Sequence, residues 1–577
     1  MAWGLPETVS GHLTTFTEVK PAPGRWKFAL HATACCAAAV TAVAIVFGPR
    51  TALLAITGAM ISTTAATRPW RARIPILLVM DAAYLVACSL GALVGERPVL
   101  LTALLTLLSS GAALVYHAVL ADPPGPIFLL IGPAIASYLP TVGMPVTTVI
   151  GVTALSAVTA SLTSIVLQST SAERAEDDAV QAAEEEVLAL MRASESAGPD
   201  APEVAALRDQ AYAAVFSASL VLEESVGRDP HGQRWKRLTK RLRRLHRRVI
   251  TVIAQAEFPG AAVAINALEQ RRYLGSPGLM YLLRWGLSRR AFPWFAARRI
   301  GLAILLTCLT TYAIGVSHPY WAVMTTAIVM SLGTDRLSLT HRAMHRLVGT
   351  IAGVLLFFVI HALGLRGIDL IVVALVLVYL LQLTAVRNYA IAVFFVTPMA
   401  LLISTAGHPD APILRMVGER IGDTAVGVVC SLIVMWATGH RTPIALVRRQ
   451  FRRTLRTVER LLLLLADGAE GSDAGFVARR DLAYEELQTA RILRISQQEL
   501  PTTLAGWESL ESITNRICYT VLAACWLEKP LEHLDAAAMA AALQRVLAGL
   551  PPVNTRLIDL TDLQDALRKV REAGIPA

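Results

Sequence analysis

Apolar residues fall into runs of about 20, the length that crosses the hydrocarbon core of a bilayer, and the runs come in two sets. The first set covers residues 29–47, 51–66, 74–95, 99–120, 126–141 and 144–167. The second covers 299–316, 319–333, 345–364, 367–385, 388–406 and 418–438. This pattern predicts an all-α polytopic membrane protein with two six-helix transmembrane blocks, about twelve spans, and helical regions outside the membrane. The run at 29–47 follows Lys20, Arg25 and Lys27 as a signal peptide would, but its length, the lack of a small-residue cleavage site and the runs behind it predict an uncleaved first helix. The second and fifth runs of each set are short or broken by Gly and Pro, a form found both at transport sites and in ordinary glycine-mediated packing.

Between the sets the pattern turns water-soluble. Residues 172–191 read AERAEDDAVQAAEEEVLALM, and Val204, Leu207, Ala211 and Val215 recur at helical spacing, so a helical bundle with one buried stripe is expected. The same character returns after the second set, where Leu461 to Leu465 are too few to span and Pro501, Pro530 and Pro551 break the helices. The expected domains are 1–28, a cytoplasmic N-terminus; 29–167, the first membrane block; 168–295, a cytoplasmic helical domain; 296–440, the second membrane block; and 441–577, a cytoplasmic C-terminal helical domain. The two soluble regions are expected to pack together and are the place for a homo-oligomer contact.

Composition agrees with the pattern: 54% of 577 residues are hydrophobic and mean hydropathy is +0.53. The net charge of +10 is concentrated beside apolar runs. Arg68, Arg71 and Arg73 lie after the second run, Arg336, Arg342 and Arg346 at the matching place in the second set, and Arg284, Arg289, Arg290, Arg298 and Arg299 precede the seventh. By the positive-inside rule these loops, both termini and the long middle segment are cytoplasmic. The charge thus serves topology and anionic lipid at the inner leaflet rather than nucleic acid. Residues Arg234 to Arg248, RWKRLTKRLRRLHRR, form a basic amphipathic helix with Leu238, Leu242 and Leu245 on one face; it either lies on that leaflet or pairs with the acidic helix at Glu173 to Glu186.

The blocks are weak copies of each other. TRPWRARIPILLVMDAAYLVACSLGALVG parallels THRAMHRLVGTIAGVLLFFVIHALG, and PGPIFLLIGPAIASYLP parallels NYAIAVFFVTPMALLIS around Pro133 and Pro398. Six spans per block with both ends inside predict a parallel duplication, whose interface is the usual place for a substrate path. No phosphate loop is present, since GERIGDT at Gly418 to Thr424 lacks its lysine, and neither an HExxH string nor a metal-spaced Cys/His set occurs. Neither ATP, a metal nor another cofactor is expected, and nothing indicates an enzyme.

The strings HPYWAVMTTAIVM, HRLVGTIAGVL, YAIAVFFVTPMALL and RIGDTAVGVVCSLIVMW resemble the fusaric acid resistance protein-like (FUSC) family, which includes aromatic acid exporters, over about residues 296–440. The first block resembles it weakly, its HRxxGTxxG-type pattern having decayed to RARIPILLVMDAAY. The resemblance implies a multi-pass protein of the bacterial inner membrane that exports aromatic carboxylates or similar small organic anions with the proton motive force. The C-terminal block is also distantly similar to plant aluminium-activated malate transporters, which are anion channels.

Ionisable residues inside spans are costly and mark function by default. Arg342 and Arg346 are four apart on one helix face, with His345 beside them, so two guanidinium groups could receive a carboxylate; the alternative is a headgroup anchor, and Arg387 is a further candidate. Asp423 and Asp81, the latter near Tyr84, are candidates for proton coupling, although Asp423 is expected near the outer end of its span, where it could simply pair with Arg420. Gly349, Gly353 and Gly427 are candidates for close helix packing, and His318, Tyr320 and Trp321 for an interfacial aromatic belt. The expected function is efflux of small organic anions, with a passive anion channel, or a scaffold or lipid-handling partner, as alternatives.

Overall fold

The computed structural model describes residues 18–22, 24–66, 68–95, 97–119, 125–170, 175–198, 201–225, 233–261, 279–287, 291–315, 319–331, 336–407, 413–438, 442–553 and 559–576. His318, Arg289, Arg290 and Glu173 lie outside them. Every regular element among the described residues is helical, as a chain that must satisfy its backbone within lipid requires. The residues divide into two compact units, one built from 1–66, 73–171 and 283–439, the other from 67–72, 172–282 and 440–577.

In the first unit the chain runs through α1 (Arg25–Phe47), α2 (Ala55–Ala59, extended by 3-10 turns at Ala52–Leu54 and Met60–Thr63), α3 (Trp70–Val94), α4 (Pro98–Ala118), α5 (Ile127–Tyr138) and α6 (Val146–Thr170). In the second unit lie α7 (Ala175–Ala197), α8 (Pro202–Ser225) and α9 (Gln233–Glu257), and α10 (Leu279–Gly286) leads out of it. The second block then comprises α11 (Phe292–Ile314), α12 (Pro319–Ser331), α13 (Arg336–Ala362), α14 (Ile368–Thr384), α15 (Tyr389–Gly407) and α16 (Ile413–Ala437). Among the described residues seven helices are long and apolar enough to cross a membrane: α1, α3, α4, α6, α11, α13 over Leu339–Ala362, and α16. Their outer faces carry Ile45, Leu78, Leu107, Leu355, Val359 and Ile433, all more than half exposed, a surface that suits lipid and not water. The second and fifth elements of each block are shorter; α12 at 13 residues spans about 20 Å and is buried nearly throughout.

The blocks interlock by exchange. Helix α1 packs on α14 and α4 on α11, so the first helix of each block meets the fourth of the other. The second and fifth elements are exchanged likewise, α5 packing on α12 and the turn at Ala52–Leu54 on α14 and α15. The segment before α1 joins in: Lys20 donates its backbone N–H to the Arg387 carbonyl (3.0 Å), Asn388 donates to the Glu18 carbonyl (3.1 Å) and Arg25 Nε to the Gln382 carbonyl (3.0 Å).

The second unit continues with α17 (Thr442–Ala466), α18 (Asp473–Glu499), α19 (Pro501–Leu504), α20 (Trp507–Ala524), α21 (Pro530–His533), α22 (Ala536–Gly549) and α23 (Leu560–Ala573). Its two chain segments share one core, in which Leu190, Leu222, Leu242 and Val249 meet Val458, Leu461, Leu465, Leu510 and Leu543. The basic helix α9 buries Leu238, Leu242 and Leu245 in that core, and Arg234 and Arg241 pair with Asp177 and Glu184 of α7. The leaflet-bound reading of this helix is therefore corrected, because its apolar stripe is already covered; Lys236, Arg237, Lys240, Arg244, Arg247 and Arg248 remain exposed.

Candidate functional site

Helix α13 begins at Arg336, nine residues before the expected start of the span, so the anticipated basic loop is largely the first turns of a helix of 27 residues. Arg336 is spent at its start, donating to the Thr438 carbonyl (3.1 Å) beside the Trp436 ring. Arg342 is half-buried with its guanidinium 5.3 Å from the Tyr389 ring centroid. One turn on, Arg346 is only 2% exposed, and its Nε has no hydrogen-bond partner. His345, about 100° around the helix from Arg346, is half-buried.

Glycines set the depth at which these groups meet. A Cβ on Gly349 would come 2.6 Å from the Ala390 carbonyl oxygen, and one on Gly353 would come 2.7 Å from Thr397 Cβ, so α13 and α15 nearly touch. A Cβ on Gly427 would lie 2.5 Å from the Ala322 carbonyl oxygen, which brings α16 equally close to α12. On that face of α16 Arg420, Thr424, Gly427 and Ser431 follow at helical spacing, and the Arg420 guanidinium stacks 5.1 Å from the Trp321 ring centroid.

Helix α16 starts at Ile413, which moves Asp423 inward: it is the eleventh residue of the helix, about 15 Å from its beginning, rather than near the end as expected. Arg420 is 1% and Asp423 2% exposed. Arg420 lies within electrostatic range of Arg346, Tyr320, Asp423 and Tyr389, so four helices deliver two cations, one carboxylate and two phenols to one place. The anticipated direct pairing of Arg420 with Asp423 is not made among the described residues. Arg420 Nε and Nη1, Asp423 Oδ2, Tyr389 Oη and Thr325 Oγ1 are all buried without a hydrogen-bond partner. Such groups each forfeit roughly 1–3 kcal/mol, more when charged, unless water or a ligand joins them. Tyr320 and Trp321, expected in an aromatic belt, are 6% and 2% exposed; Tyr320 stacks on Tyr138 of α5 with centroids 4.7 Å apart.

The remaining candidates stand apart. Arg387 is in the turn between α14 and α15, where its Nη2 reaches the Ala22 carbonyl at 3.5 Å. Asp81 is half-buried on α3 and accepts from Ser161 Oγ of α6 (3.1 Å), inside the first block. Two arginines escaped the sequence-based selection of site residues. Arg420 reads from the sequence only as a counterion of Asp423, although the small and polar stripe below it marks its face as buried. Arg73 is the counterpart of Arg346 when Thr67 is set against Thr340, and it too is 1% exposed, but its Nε donates to the Thr64 carbonyl (2.9 Å), its Nη1 to Gln168 Oε1 (3.1 Å) and its Nη2 to the Ser62 carbonyl. The first block thus uses its arginine to close its own second element, whereas the second block presents its arginine to a second one. No cluster of His, Cys, Asp or Glu suited to a metal occurs among the described residues.

Residues 303–434, which contain the whole Arg346–Arg420–Asp423 cluster, match the family model described as fusaric acid resistance protein-like. The chain is 32% identical over 191 residues to the uncharacterized membrane protein YvaC of Bacillus subtilis (strain 168), and 28% identical over 198 residues to the p-hydroxybenzoic acid efflux pump subunit AaeB of Edwardsiella ictaluri (strain 93-146). Each match covers 32% of this chain, and the chain spans 30% of the length of these curated relatives. No solved structure matches it. Residues 303–434 are thus similar to the fusaric acid resistance protein-like family, in a chain with helices long and apolar enough to cross a membrane.

Proposed function

We propose that the protein is an inner-membrane efflux transporter for small organic anions, aromatic carboxylates foremost, driven by the proton motive force. The observation that carries this reading is the buried pair Arg346 and Arg420, whose guanidinium groups face one shared place and leave donor atoms unpaired. Two cations against the single carboxylate of Asp423 leave an excess positive charge, and an arginine at the bilayer centre costs about 2.5–3.5 kcal/mol on insertion scales. An entering carboxylate removes the imbalance and accepts from both forks. Trp321 lays its ring against Arg420, and the Tyr320 and Tyr389 phenols lie within electrostatic range of it, surroundings that suit an aromatic body with a polar group. The printed name of the Edwardsiella relative, a p-hydroxybenzoic acid efflux pump subunit, points to the same chemical class.

Arg346 and Arg420 receive the anion, Arg342 and His345 line its approach, and Arg387 stands at the rim. Asp423, buried one turn from Arg420, takes up and releases the coupled proton as the anion comes and goes; Asp81, on α3 of the first block, is the second candidate for that role. Both termini and the second unit lie on the cytoplasmic side in this reading. The decisive experiment loads inverted membrane vesicles with p-hydroxybenzoate under an imposed inward-acidic gradient. Accumulation against the anion's own electrochemical gradient is expected. Flux that only dissipates that gradient would make the protein a channel, and no flux of any organic anion would remove the transport reading.

A further inference from the structure

The second unit holds a buried acid that the transport reading does not use. Glu486 of α18 is 2% exposed, and its Oε2 has no hydrogen-bond partner. Its Oε1 accepts from Tyr519 Oη of α20 at 3.3 Å, and Asp209 of α8 lies within electrostatic range of both Tyr519 and Glu486. Tyr519 has one hydroxyl proton and cannot donate to two carboxylates at once. Asp209 is the more exposed of the two carboxyl groups and is held by Arg208 at 3.2 Å, so Glu486, with Oε2 unpaired, is the one placed to keep a proton. Arg208 also stacks on the Tyr519 ring, 4.4 Å from its centroid, and so holds the phenol that reaches Glu486.

We propose that Glu486 is a proton-binding site of the helical unit, whose occupancy sets the packing of α8, α18 and α20. The surroundings are weighted against an ionised Glu486. From α8 it faces Asp209, Arg208 and the Tyr212 phenol, and from α20 Glu511, Tyr519 and the Cys518 thiol. Glu511 is in turn faced by Arg494 and Glu508. On α17 the charged groups near α18 are taken elsewhere, Arg453 by Glu485 and Arg460 by Asp481. Two carboxylates and one guanidinium therefore surround a carboxyl cut off from water. Burial first, then Asp209, pushes Glu486 up to about 8, and burial raises Glu511 to about 6.

An acid raised above its unfolded value of about 4.5 holds its proton in the folded state over the window from there to about 8. The stabilisation is complete below that window and is lost as pH rises through it, since the unfolded chain then prefers to release the proton. In the full-length protein, thermal unfolding midpoints should fall as pH goes from 6 to 9. Glu486→Gln, which mimics the protonated acid, should match wild type near pH 4.5, exceed it increasingly as pH rises from there to 8, and lose that part of the fall assignable to this group. Tyr519→Phe removes the donor that favours the charged form and should move the Glu486 transition upward by about one pH unit. Independently of any variant, wild-type infrared difference spectra should show a carboxylic-acid C=O band that disappears near pH 8 and is absent from Glu486→Gln. A midpoint curve unchanged by Glu486→Gln, or a wild-type band already absent at pH 7, would overturn the proposal.

Discussion

Replacing Arg346 tests the transport site at its most exacting point. The side chain is 2% exposed, shares its surroundings with Arg420, and hydrogen-bonds nothing through Nε, so its truncation removes one of two forks from a bound carboxylate without breaking a protein–protein hydrogen bond at that atom. A charge-assisted hydrogen bond contributes about 1.5–3 kcal/mol, and Arg346→Ala should therefore raise the half-saturation concentration for efflux by about 10- to 100-fold. Arg346→Lys keeps the charge and loses the planar fork, a deficit of about 1 kcal/mol or roughly fivefold. Arg342→Ala loses a half-exposed cation–π contact with Tyr389, about 0.5–1 kcal/mol, and, standing on the approach and not at the binding place, should raise half-saturation less than Arg346→Ala does. The assay is p-hydroxybenzoate transport in proteoliposomes at matched protein density, with half-saturation and maximal rate determined separately. Wild-type half-saturation in Arg346→Ala would return this residue to a headgroup anchor and refute the site.

Gly427→Ala should lower the thermal midpoint in detergent by the equivalent of about 1–3 kcal/mol, because its Cβ would lie 2.5 Å from the Ala322 carbonyl oxygen, whereas Gly422→Ala, with nothing within 4 Å, should not; equal effects would dismiss the close approach. Asp423→Asn should abolish accumulation driven by a proton gradient while preserving downhill exchange of p-hydroxybenzoate, and retained accumulation would move proton coupling to Asp81 or elsewhere. Arg453→Ala leaves fully buried Glu485, which also accepts from Tyr281 (2.7 Å) and Gln450 (2.9 Å), without its 2.5 Å cation, and should cost about 3–5 kcal/mol by chemical denaturation, much of it recovered by adding Glu485→Gln.

The membrane class and the two apolar blocks were legible because spanning helices must be long and apolar on their lipid side. Helix starts were not. Residues 336–344 and 413–417 continue helices beyond the expected spans with Arg336, Arg342 and Arg415 in them, since backbone hydrogen bonding carries a helix through the interface whatever its side chains. That shift is why Asp423 was expected near an end and is found a third of the way or more along its helix. The pairing of Arg346 with Arg420 was hidden because 74 residues separate them and only the glycine contacts of α13 with α15 and of α16 with α12 set their depth. In the second unit Glu485 and Glu486 read as ordinary polar positions of a solvated helix; only the tertiary fold makes both of them interior.

The exchanged pairing of the two blocks governs how the chain can be made. Helix α1 meets its inter-block neighbour only when α14 has been synthesised, and the backbone bond from Lys20 to Arg387 closes 367 residues of chain. At about 5–20 residues per second, roughly 20–70 s of translation separate the two partners. During that interval faces of α1 and α4 destined for α14 and α11 have only lipid or insertion machinery to cover them. The nascent first block is thus a client in waiting, exposed to membrane quality control until the second arrives, and a ribosome that stops within the second block leaves behind a half that has no way to finish.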